Sequence, residues 1–131
     1  MKTQDISKVL GVAALRPFSP LAYYDKHMDC IRVELRDCSM TERRIDEIFT
    51  VLEDNYPTEG QGKSAGIMIK GIKHLFKKLE LPVEGIVYVT KILDAIAKTY
   101  PDRVADDIQQ LVTNIELTVN FDETEPYAMA A

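Results

Sequence analysis

The sequence predicts an α+β fold, mostly helical, with four to five helices and a short antiparallel β-hairpin near residues 21–36. Several segments place apolar residues at the i, i+3, i+4, i+7 spacing of one helix face, whereas the stretch CIRVELR alternates with the two-residue period of a half-buried strand. The 131 residues, 46% hydrophobic and 28% charged, hold no Pro-, Ser- or Gln-rich tract, so one core is expected. Residues 1–120 read as a single compact domain and 121–131, FDETEPYAMAA, as an acidic, loosely ordered tail.

Taken in order, Ile6, Val9, Leu10 and Ala13 mark a helix over 4–15, capped by Thr3 and ended by Pro17. RPFSP is a rigid connector. Ile31, Val33 and Leu35 then alternate with Cys30, Arg32, Glu34 and Arg36, and the run Leu21 to Tyr24 can pair with them across the turn-like Asp25 to Asp29. A lone hairpin is marginal in water, so its apolar face needs helices or a second copy to lie against. Ser39 and Glu42 fit a capping box opening a helix with Ile45, Ile48, Phe49 and Leu52 on one stripe, ending at Asn55-Tyr56-Pro57. Residues 58–66, with three glycines, read as a loop. Met68, Ile72, Leu75, Phe76 and Leu79 restore the helical period over 67–79, and Pro82 bars its extension. A helix is expected over 90–100, while 85–89 fits strand or helix. Val104, Ile108, Leu111, Val112 and Ile115 mark a last helix.

Composition narrows the function classes. Asp5 and Ser7 break the N-terminal apolar residues before a signal sequence could form, and no window approaches the roughly 20 apolar residues of a membrane span. A soluble, cytoplasmic protein with free thiols at Cys30 and Cys38 is expected.

The segment TEGQGKSAG poses the sharpest chemical question. A phosphate-binding loop needs a strand, then G-x-x-x-x-G-K-[ST], then a helix whose first amides receive the phosphates. Counting back from Gly62-Lys63-Ser64, the first glycine should stand at position 57, where the chain has proline. A nucleotide site is therefore disfavoured, and Gly62, Lys63 and Ser64 remain candidates for an anion at the start of a helix.

On the helix read over 67–79, Lys70, Lys73 and Lys77 gather opposite the apolar stripe, with His74 and Lys78 at the margin. Residues 62–79 hold five lysines and no acid, so they carry +5 in a chain of net charge −5. This basic face, Lys70, Lys73, His74 and Lys77, reads first as a solvated helix face, and as an interaction surface it suits an acidic patch on a partner or second subunit. Nucleic acid is the weaker reading, because the stripe has no arginine and its one aromatic, Phe76, faces the core. The turn DKHMDC contains carboxylate, imidazole and thiol, but no second cluster completes a metal site, and a polar turn accounts for it. No metal and no cofactor is implied, and neither histidine lies in a Ser-His or Cys-His context that would assign an enzyme activity.

Three functions follow as expectations. The first is a protein-interaction or regulatory module that associates with its own copy, as a homodimer, through the open edge of the hairpin. The second is a small-molecule or anion binder with a pocket near the 58–66 loop, drawing on Tyr23, Tyr24, Lys63, Ser64 or His74. The third is nucleic-acid binding through Lys70, Lys73 and Lys77.

Overall fold

The computed structural model describes residues 18–102 and 116–123. Within them the chain runs β1 (Leu21–Asp25), β2 (Cys30–Glu34), β3 (Met40–Arg44), β4 (Phe49–Asp54), β5 (Ser64–Lys70), α1 (Ile72–Leu79), β6 (Ile86–Tyr88), α2 (Val89–Thr99) and β7 (Thr118–Asn120). The expectation of a mostly helical fold with four to five helices is therefore corrected: among the described residues strands dominate, with two helices. The helices read over 4–15 and 104–115, and tail residues 124–131, lie outside the described residues.

Five strands form one antiparallel sheet in the order β1-β2-β5-β4-β3, and β6 pairs with β7 in a second, small sheet. The hairpin of β1 and β2 is present, with Leu21 opposite Glu34 and Asp25 opposite Cys30. Its far edge is not open. Strand β5 lies along it, Cys30 opposite Lys70 and Glu34 opposite Gly66, so the β2 edge is filled by the same chain and β1 becomes one end of the sheet. To reach the sheet's other margin from β2, the chain must pass three strand spacings, about 14 Å. Five extended residues, 35–39, span about 17 Å.

The largest correction falls on residues 39–55. In place of a helix stand β3, a turn and β4, paired from Met40 opposite Asp54 to Arg44 opposite Thr50. Ser39 and Glu42 do not box a helix end: the Ser39 hydroxyl accepts from Asn55 Nδ2 at 2.8 Å, and the Glu42 carboxylate lies 3.5 Å from Arg32 Nη1. The turn is closed by Asp46, whose Oδ1 accepts the amides of Ile48 and Phe49 at 2.8 and 2.7 Å. Strand β4 is buried on both faces, at Phe49 and Val51 on one side and at Thr50 and Leu52 on the other. Continuous burial erases the two-residue alternation and leaves a chance helical spacing.

The same cause misplaces the start of the next helix. Residues 64–70 form the central strand, and the helix begins only at Ile72. Gly71, at φ 63°, provides the left-handed residue that turns strand into helix. For 85–89 the structure has strand over 86–88, with α2 beginning at Val89.

Both helices pack on one face of the sheet. Ile72, Leu75 and Phe76 of α1 and Val89, Ile92, Leu93 and Ile96 of α2 close over Ile31, Val33, Phe49, Ile67 and Ile69. Phe121, at the start of the expected tail, stands in this core and meets Tyr24 and Phe76 edge-on at centroid distances of 5.1 and 5.3 Å. On the opposite face Cys30, Leu52 and Met68 cluster with Met40, beside Arg32, which donates to Glu34 at 2.6 Å.

Candidate functional site

Where β5 gives way to α1, the chain forms a concavity with basic side chains at its edge. Glu47 and Ile48 come from the β3–β4 turn, Lys70 and Gly71 from the strand-to-helix junction, His74, Leu75 and Lys78 from α1, and Tyr100 from the end of α2. Together they line a cavity of about 180 Å³ that opens to solvent. That equals the liquid volume of about six waters and lies below the roughly 300–1,000 Å³ of sites for drug-sized ligands.

Each wall has a local cause. The turn is pinned to β5 twice: Lys70 N donates to Ile48 O at 2.7 Å, and Lys70 Nζ donates to Asp46 O at 2.7 Å. The Lys70 ammonium is thereby held at the rim. His74 and Lys78 stand four residues apart on α1, hence one above the other on the same side of the helix, and both are exposed. Ile48 and Tyr100 are half-buried and Leu75 is buried, all in contact with the main core, so the floor is apolar and fixed. Two lysines and an imidazole face one carboxylate, that of Glu47. Such a wall favours an anion.

The amides opening α1 contribute little to that preference, because Asp29 already occupies them. Its backbone carbonyl accepts Ile72 N at 3.1 Å, and both carboxylate oxygens lie 3.2 Å from Lys73 N. Tyr24 donates its hydroxyl to the same carboxylate at 2.6 Å. Burial, first, and this carboxylate push the Tyr24 phenol well above its usual range. Tyr24 is thus a supporting group under the helix. Anion binding in the cavity falls to side chains.

The residues singled out from sequence scatter. Gly62 and Lys63 are exposed in the loop before β5, and Ser64 is the first residue of a strand. The premise that they open a helix fails: Asp54 N donates to Lys63 O at 2.7 Å, and Arg36 Nη1 to Gly62 O at 2.7 Å, so this loop is tied to β4 and the 35–39 connection. Asp54 anchors that end. The amide of Tyr56 first, then Cys38 and Arg36, hold its carboxyl below the usual range, against the opposing effect of burial. The basic face is also divided. Lys73, His74 and Lys77 share α1, but Lys70 precedes Gly71 and belongs to the strand. Of the basic residues named from sequence, Lys70, His74 and Lys78 meet in the cavity, while Glu47, Ile48 and Tyr100 join from segments that sequence spacing does not connect.

At the DKHMDC turn, Asp25 Oδ1 accepts the amides of His27 and Met28 at 3.0 and 3.1 Å, the work of a turn residue. Among the described residues no group of three or more His, Cys, Asp or Glu is placed to hold a metal ion. Cys30 is buried, which raises its thiol to about 11, and both cysteines are free. Among the described residues no helix is long and apolar enough to cross a membrane. Compared with known proteins, the chain matches no family model, no curated protein and no solved structure.

Proposed function

We propose that the protein binds a small organic anion, a carboxylate or phosphate ester carrying a short apolar body, in the cavity between the β3–β4 turn and α1. The observation that carries this reading is the convergence of Lys70, His74 and Lys78 over a floor of Ile48, Leu75 and Tyr100. The anionic head is held by the two ammonium groups and the imidazole, and the apolar body rests on the floor. The size of the cavity restricts the ligand to a compact molecule. Glu47 selects against spread-out negative charge, since a second anionic group on the ligand would face its carboxylate.

Thermal shift with phenyl phosphate, inorganic phosphate and chloride at equal ionic strength tests the proposal. For a dissociation constant of about 1 mM, 10 mM ligand adds about 1.4 kcal/mol of stability, a rise in Tm of roughly 5 °C for a domain of this size. Phenyl phosphate is expected to stabilise more than phosphate, and chloride not at all. Lys78→Glu is expected to abolish the shift while leaving the melting point of the unliganded protein within about 2 °C, because Lys78 is exposed. Equal shifts for all three salts, or a full shift in Lys78→Glu, would refute the site.

A further inference from the structure

The sheet ends on β1 and β3: among the described residues β1 pairs only with β2, and β3 only with β4. The hydrogen bonds bounding this pair fix which groups of β3 point outward. Ile45 N donates to Phe49 O at 3.0 Å and Asn55 N to Ser39 O at 2.9 Å. Positions 39 and 45 therefore bond inward, and by the alternation of an antiparallel ladder so do 41 and 43. The amides and carbonyls of Met40, Glu42 and Arg44 face away from the sheet. Glu42 and Arg44 also share a side-chain face, and both are exposed.

We infer that β3 pairs with β3 of a second copy, antiparallel, about a two-fold axis normal to the sheet at Arg43. In that register Glu42 lies opposite Arg44 of the other copy and Arg44 opposite its Glu42. The outward backbone groups of both residues are then satisfied, and two opposite-charge pairs form side by side. The neighbouring two-fold registers, centred on Glu42 or on Arg44, oppose like charges. Charge on an edge usually keeps strands apart; here its alternation in sign selects one alignment. Arg43 meets its symmetry mate at the axis, but each is already paired with its own Glu53 at 3.0 Å. Ile45, 45% exposed, comes to lie opposite Thr41 of the second copy, on the face they share.

A five-residue edge buries less than the roughly 1,600 Å² of a standard interface, so association is weak and the measurement needs concentrated protein. Light scattering of the full chain at about 300 µM, a concentration suited to a dissociation constant of roughly 0.1–1 mM, is expected to give a dimer that dissociates on dilution. Glu42→Arg and Arg44→Glu each place like charges opposite one another and are expected to be monomeric at the same concentration. The double variant Glu42→Arg/Arg44→Glu restores the pairs in reverse and is expected to dimerise again, with thermal melts verifying that all three variants fold. A monomeric parent, a single variant that still dimerises, or a folded double variant that stays monomeric would each overturn the pairing.

Discussion

Gly66 is the tightest point in the sheet. A Cβ there would lie 2.1 Å from the Val33 carbonyl oxygen and 3.2 Å from Leu52 Cδ1. The first of these neighbours is backbone of the adjoining strand and has nowhere to retreat. The crowding coincides with an irregularity in pairing: Leu52 lies opposite Gly66 but Glu53 opposite Ser64, which leaves Ala65 without a counterpart. Such a bulge is where a strand glycine is expected. Gly66→Ala should therefore cost more than about 2 kcal/mol, seen in urea as a lower midpoint at unchanged slope. A midpoint within error of the parent would show that β2 and β5 are less closely apposed. Nothing in the spacing of TEGQGKSAG marks Gly66 as different from the glycines before it; its role comes from a strand 33 residues earlier in the chain.

At the scale of elements, what could be read from sequence divides by how many faces each element buries. Helix α1 buries Ile72, Leu75 and Phe76 on one side and exposes Lys73, His74, Lys77 and Lys78 on the other. That one-sidedness prints a clear period, and α2 behaves likewise. Strand β2 was also readable, since Ile31 and Val33 enter the core while Arg32 and Glu34 pair on the opposite face. Strands β4 and β5 are central and apolar on both sides, so their sequences carry no alternation. The decisive cues were subtler: β-branched residues at Thr50, Val51, Ile67 and Ile69, Asp46 as a turn former, and Gly71 as a break. Hydrogen exchange distinguishes the two readings of residues 39–45. In dilute protein the amides of Thr41 and Arg43 should be protected and those of Glu42 and Arg44 should exchange rapidly. A helix would protect consecutive amides from Arg43 onward, and that pattern would displace β3.

For the whole molecule, the candidate site depends on topology more than on any motif. Lys70 and His74 were visible as part of a basic run, but the cavity also needs Glu47 and Tyr100, 23 residues before and 30 after Lys70 in the chain. The order β2-β5-β4 sets β5 beside the β3–β4 turn, and the core contacts of Tyr100 bring the end of α2 to the same corner. The charge balance acquires a location by the same route: a chain of net charge −5 concentrates its lysines along α1 and at the cavity rim. An anion is repelled at long range and attracted only at close quarters. Binding should accordingly weaken less with added salt than a surface-steered association would, since screening removes the repulsion along with part of the attraction.

The most direct measurement is a map of amide chemical shifts in the ¹⁵N-labelled chain as phenyl phosphate is added. Saturating changes are expected at Glu47, Ile48, Gly71, His74, Leu75 and Lys78, with Gly62, Lys63 and Ser64 unmoved. Changes centred on the 62–64 loop, or a spectrum that does not respond, would contradict the site.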